Sequence, residues 1–145
     1  MKLVLNSFFI CFLIICSPVF GDVFSKTYVV ESKGIKIGKL DWEIVISDKK
    51  YRNNLKLKSE GILSIFYSFE GEYSSEGVVE NKQLKPTKYT HLWKTSKAKR
   101  GMGLVFQNNK LKSLEQIPIE EEYLRVDVFN INKVKDPVTS FLQIV

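Results

Sequence analysis

His91 is the only histidine in this 145-residue sequence, and it is the one side chain that could move a proton near neutral pH without a shifted pKa. It sits in "TKYTHLW", where Tyr89, His91 and Trp93 alternate to one side and Lys88, Thr90 and Lys94 to the other. Nucleophilic catalysis would need a nucleophile and an orienting acid around it, and zinc would need three or four His, Cys or carboxylate ligands. A single histidine supplies neither, so the ordinary reading is a His among aromatics on a half-buried strand. Glu70 and Glu72 offer a second chemistry. At i, i+2 spacing they share one strand face about 6–7 Å apart, which could seat the carboxylate pair of a hydrolase acting on envelope polymers. The run Glu120, Glu121, Glu122 resembles a hard-cation site only on paper, because adjacent strand residues point to opposite faces; a solvated loop is expected there. Gly34 and Gly38 in "GIKIG" lack the Lys-Ser/Thr ending of a phosphate loop. No cofactor, metal site or enzymatic activity is therefore expected.

Binding chemistry is better represented. Trp42, Tyr67, Phe69, Tyr73, Tyr89, Trp93 and Phe106 could line an apolar cavity, with Trp42, Tyr67, Phe69, Tyr89 and Trp93 as the candidate contacts for a hydrophobic ligand. From Asn81 to Leu114 there are nine basic residues and no acidic one. Four of them, Lys94, Lys97, Lys99 and Arg100, fall in "KTSKAKR", read as a hairpin tip that could face lipid phosphates or another anionic envelope surface. The ordinary alternative is a solvated edge whose lysines discourage strand-to-strand aggregation.

The elements that must carry these residues begin after an N-terminal segment of a different kind. "MKLVLNSFFICFLIICSPVFG" has one Lys near its start, an apolar run and small or medium residues at Val19 and Gly21, the pattern of a cleaved secretory signal peptide over 1–21. The apolar run from Phe8 is about 9–13 residues, short of the roughly 20 that span a bilayer. Ile15 before Cys16 does not suit lipidation. Both cysteines, Cys11 and Cys16, lie in this segment, so the exported chain would hold no disulfide and no thiol chemistry. The expected mature chain, 22–145, is one domain with no transmembrane segment; losing Lys2 leaves 21 basic against 16 acidic residues, a net charge of +5. The signal peptide would take the chain away from nucleic acid, which is therefore not expected as a partner despite that charge.

Period-2 alternation dominates the mature chain. In "KLDWEIVIS", Leu40, Trp42, Ile44 and Ile46 oppose Lys39, Asp41, Glu43 and Ser47; in "YRNNLKLKS", Tyr51, Leu55 and Leu57 oppose Arg52, Asn54, Lys56 and Lys58. "SDKK" between them reads as a hairpin turn. "TYVVESK" (27–33), the stretch from Gly61 to Gly77, "KPTKYTHLWKT" (85–95), "GLVFQ" (103–107) and "YLRVDVFNI" (123–131) read as further strands; Ile62 to Phe66 reads equally as a short helix. Asp136-Pro137 opens a C-terminal helix with Phe141, Leu142, Ile144 and Val145 on its apolar side. The fold class is all-β: a strongly curved antiparallel sheet or open β-barrel of about seven or eight strands with a short C-terminal helix.

Tyr28, "GIKIG", Trp42, Tyr51, "EGILSIFY", Gly77, "LKPTKYTH" and "KDPVTSFLQI" resemble, in order, the bacterial family known as domain of unknown function 3108. The resemblance runs from about Lys26 to Val145. It implies an exported, mostly antiparallel β protein of the Gram-negative envelope, with no assigned activity and no catalytic residues to carry over. Family members are expected to continue beyond the Asp-Pro helix into further strands, so the chain is expected to be incomplete at its C-terminus. The functional expectation is non-enzymatic binding of a hydrophobic or amphipathic envelope component or a partner protein. The alternatives are the carboxylate hydrolase and a structural or assembly subunit of the envelope.

Overall fold

The structure is a computed structural model that describes residues 21–119 and 127–144. The signal-like segment (apart from Gly21), Glu120 to Glu122 and the first part of the strand expected over 123–131 lie outside the described residues. Seven strands form one antiparallel sheet in chain order: β1 (Asp22–Ser32), β2 (Ile35–Ile46), β3 (Lys50–Ser59), β4 (Phe69–Glu80), β5 (Gln83–Thr95), β6 (Lys99–Gln107) and β7 (Lys110–Ile117). Every strand is hydrogen-bonded to its chain neighbours, so the topology is an unclosed meander.

Turn chemistry sets this register. Lys33 and Gly34 reverse the chain between β1 and β2 with φ of 52° and 77°. Asn81-Lys82 and Asn108-Asn109 are two-residue connections with both φ values positive, the pattern whose twist matches the flanking strands. At the β2–β3 turn the Ser47 hydroxyl accepts the Lys50 N–H at 3.2 Å. Gly38, expected in the joint, instead lies inside β2, opposite Ser59. Between β3 and β4 the chain forms a short helix, α1 (Ile62–Phe66), so the strand expected from Gly61 begins only at Phe69. At the far end, Val128–Asn130 is a 3-10 turn rather than a strand, because Asp127 accepts hydrogen bonds from the Phe129 N–H and the Asn130 side chain.

The register divides the sheet into two faces. Ile44, Asn53, Ser75, Tyr89, Leu104 and Leu114 form one cross-strand row, and Trp42, Leu55, Tyr73, His91 and Met102 run beside it. This face carries the core: Tyr89, Phe106, Leu111 and Val138 cluster there, with Leu55, Tyr73, Leu104 and Leu114 packed against them. Val138 comes from α2 (Pro137–Leu142), which crosses this face.

A buried polar knot fastens α2. Asp136 caps the helix, accepting from the Thr139 N–H at 2.9 Å and from the Thr139 hydroxyl at 2.7 Å. Its carboxyl also accepts from Ser75 Oγ at 2.9 Å, and Tyr51 OH lies 2.6 Å from Thr139 Oγ1. Asp136, Thr139 and Ser75 are all 1% exposed or less. Tyr51 reaches this knot by lying over Gly77. A Cβ there would fall 2.7 Å from the Tyr51 ring and 2.1 Å from the Lys85 carbonyl oxygen. Gly77→Ala should therefore destabilise the domain by about 2–4 kcal/mol in urea titrations, with an unchanged m-value.

Candidate functional site

The second face is lined by the residues between those rows. Asp41, Lys56, Glu72, Leu92, Gly101 and Ile117 align across β2 to β7, and Glu43, Asn54, Ser74, Thr90, Gly103 and Glu115 align beside them. Together with Ser25 and Thr27 of β1 they line one open cavity of about 840 Å³. Seven strands laid flat would separate β1 from β7 by about 29 Å. Sharing one cavity requires the sheet to curl around this face, which makes it a trough.

Its two sides differ. From β1 to β4 the wall is a polar lattice. Thr27 Oγ1 donates to Asp41, Lys39 pairs with Asp41 at 2.9 Å, and Lys56 pairs with Glu72 at 3.0 Å. Ser74 Oγ donates to Asn54 Oδ1 at 2.7 Å, and Asn54 Nδ2 reaches Glu43 at 3.4 Å. The hydrogen bond from Thr27, then the Lys39 ammonium, holds the Asp41 carboxyl below its ordinary range. The hydrogen bond and charge of Glu72 hold the Lys56 ammonium above its own. Toward β5–β7 the wall changes to Leu92, Ile117 and the backbone of Gly101 and Gly103, with Thr90 and Glu115 as the polar side chains. The trough is amphipathic from side to side. Among the described residues no three His, Cys, Asp or Glu side chains converge as a metal site would require.

Residues 27–144, from within β1 to just past α2, match the sequence profile of the family described as "Protein of unknown function (DUF3108)". The chain belongs to the DUF3108 family. No curated protein and no solved structure matches it.

In this DUF3108 sheet the rings of the aromatic candidates are not gathered in the trough. Trp42 borders the cavity from its place in β2, yet its ring is on the core face, 5.8 Å from Phe24 and 5.7 Å from Phe141 of α2, and its indole N–H donates to Asn53 at 2.7 Å. Phe69 and Trp93 stack at 6.5 Å on that same face, and the rings of Phe69 and Tyr73 fill the space that Gly71 leaves open. Tyr89 is buried in the core cluster, and Tyr67 is exposed between α1 and β4. Ring contact joins Phe69 to Trp93 alone among these five.

Lys94, Lys97, Lys99 and Arg100 are all exposed at the β5–β6 hairpin, where the Thr95 hydroxyl accepts the Lys97 and Ala98 N–H groups and shapes the turn. Glu72 is engaged by Lys56, while Glu70 stands opposite Lys58 and Lys94. The two carboxylates thus face different cations rather than a shared reaction centre. Thr27, Asn54, Lys56, Ser74, Leu92 and Gly103 line the trough without having stood out in the sequence. Their only signal is the strand parity opposite Trp42, which looks like ordinary solvent-facing alternation.

His91 lies between Tyr73 and Tyr89, at ring distances of 5.9 and 5.7 Å, with the Tyr89 hydroxyl 3.2 Å from Nδ1. Burial lowers its pKa from 6.5, and burial first, then the Asp136 charge, pushes the Tyr89 phenol up to about 12. The unfolded chain gains a proton at His91 below pH 6.5 that the folded imidazole resists, so stability falls as pH drops through that point. Above pH 10 the unfolded phenol ionises while folded Tyr89 does not, so stability falls again towards pH 12. Urea midpoints measured from pH 5 to 12 should show both limbs. His91→Gln should flatten the acid limb and Tyr89→Phe should reduce the alkaline one, to which the Tyr51 phenol, also pushed up by burial, still contributes.

Proposed function

We propose that this chain is a non-enzymatic binding domain of the bacterial envelope, exported by its first 21 residues, and that its trough holds an amphipathic envelope molecule. The observation that carries the reading is the side-to-side asymmetry of the cavity. A ligand's polar part meets the Thr27, Asp41, Asn54 and Lys56 lattice, and its apolar part lies over Leu92 and Ile117 beside the two glycines. A purely hydrocarbon ligand would strip water from this lattice without replacing its hydrogen bonds, which disfavours it. A hydrolase reading finds less support, because the Asp41 carboxyl is held towards its ionised form and Glu72 is paired with a lysine, whereas a general acid needs its proton near neutral pH.

Gly103 gives a clean test. A Cβ there meets nothing nearer than Glu115 at 3.8 Å, whereas at Gly101 it would press on Leu92 and the His91 carbonyl at 3.1 and 3.2 Å. Gly103→Leu should thus fill the trough and leave the sheet intact. Native mass spectrometry of the protein recovered from its host's envelope should show a small-molecule adduct on the wild type that Gly103→Leu lacks, at equal thermal stability. Equal adducts on both proteins, or none on either, would refute the trough as a binding site.

A further inference from the structure

The meander places the β1–β2, β3–β4 and β5–β6 connections at one end of the sheet. At its middle stands α1, a five-residue helix with no buried residue. Ile62, Ile65, Phe66 and Tyr67 are 59, 78, 81 and 49% exposed. Its shape does not depend on packing those side chains. The Ser64 hydroxyl donates to the Gly61 carbonyl at 2.7 Å, and the Phe69 N–H donates to Ser59 Oγ at 2.9 Å, so polar contacts at the ends of the loop hold it. What results is a contiguous apolar knob presented to water, which a soluble domain ordinarily avoids unless something binds there.

Charge says what that is. On one side of the knob stand Lys33 and Lys36 of the β1–β2 hairpin with Lys39 and Lys58 beside them. On the other stand the four cations of the β5–β6 hairpin; the connection is direct, because Phe69, just after the knob, pairs with Thr95 at that hairpin's tip. Against these the described residues at this end set Glu31, Asp41, Glu60 and Glu70, with Glu60 already joined to Lys36 at 2.8 Å and Asp41 to Lys39 at 2.9 Å. The opposite end is also rich in lysine, yet its turns, Ser47 to Lys50, Asn81-Lys82 and Asn108-Asn109, carry no apolar side chain, and its exposed Val23 belongs to the paired strand β1 rather than to a connection. The α1 end therefore combines the two chemistries of a bilayer interface, apolar side chains for the acyl boundary and cations for the phosphate level.

We infer that the α1 end is a membrane-docking surface, inserting Ile65, Phe66 and Tyr67 into an anionic phospholipid layer while the flanking lysines pair with its phosphates. The surface lies outside the trough and does not require it to be filled.

Vesicles of 30% phosphatidylglycerol in phosphatidylcholine, and of phosphatidylcholine alone, test this with the exported form of the chain. Wild type should float with the anionic vesicles and not with the neutral ones. Ile65→Ser/Phe66→Ser and Lys94→Glu/Lys97→Glu/Lys99→Glu should each lower the partition coefficient at least tenfold, and 0.5 M salt should do the same. All five positions are exposed, so unchanged thermal melts should accompany both losses. In Phe66→Trp, fluorescence relative to the Phe66 parent should shift to the blue on anionic vesicles and be quenched by acyl-brominated lipid. Absence of binding to anionic vesicles, or binding that both multiple variants retain, overturns the inference. So does an indole at that position that stays water-exposed on the vesicles, an outcome that would assign the knob to a protein contact instead. Gly103→Leu should bind the vesicles as wild type does, which keeps this outcome separate from the fate of the trough.

Discussion

The buried carboxyl of Asp136 is the constraint on which the arrangement of both faces depends. Among the described residues no lysine or arginine is in hydrogen-bonding contact with it; its acceptors are met by the Thr139 N–H and by the hydroxyls of Thr139 and Ser75. Burying such a group with any of these donors missing would cost several kcal/mol, so the knot forms completely or the helix does not dock. Once formed, it joins residues 61 and more positions apart in sequence: Ser75 of β4 and, through Thr139, Tyr51 of β3. α2 then covers Tyr89, and Val138 completes the core cluster. The closed face is chosen by this docking, and the other is left to curl around open space.

That division explains why one small sheet can present two chemically different surfaces. The trough is built from alternate residues of all seven strands, so the spacing of Thr27, Asp41, Asn54 and Lys56 is set by the ladder beneath them. The α1 knob belongs to a connection, where apolar side chains can be exposed without breaking strand pairing. Small residues matter to both faces: Gly77 admits the Tyr51 ring to the knot, and Gly101 and Gly103 leave the trough wall open on its β6 side.

Strand parity in "KLDWEIVIS" and "YRNNLKLKS" is legible because alternation is a direct consequence of the pleat, and the observed partners Trp42 with Leu55 and Ile46 with Tyr51 follow it. The Asp-Pro helix start is legible for a similar reason, since the Asp136 side chain caps locally. Parity does not tell which of two faces becomes concave. That depends on curvature accumulated over seven strands and on a helix that arrives from the far end of the chain. Large aromatics such as Trp42 and Tyr89 therefore suggest ligand contacts in the sequence, although the structure places their rings on the core face, while Asn54, Ser74 and Gly103 read as plain surface. The Gly61 to Gly77 stretch divides at a point that periodicity alone leaves open, because a five-residue apolar run fits a short helix and a strand equally.

Hydrogen–deuterium exchange of Asp136→Ala against wild type measures the central dependence most directly. If the knot holds α2, amides of 138–143 should lose their protection while β2 to β5 exchange as slowly as before. Unchanged protection of 138–143 in the variant would contradict this, because α2 would then be held to the sheet by something other than the buried carboxyl.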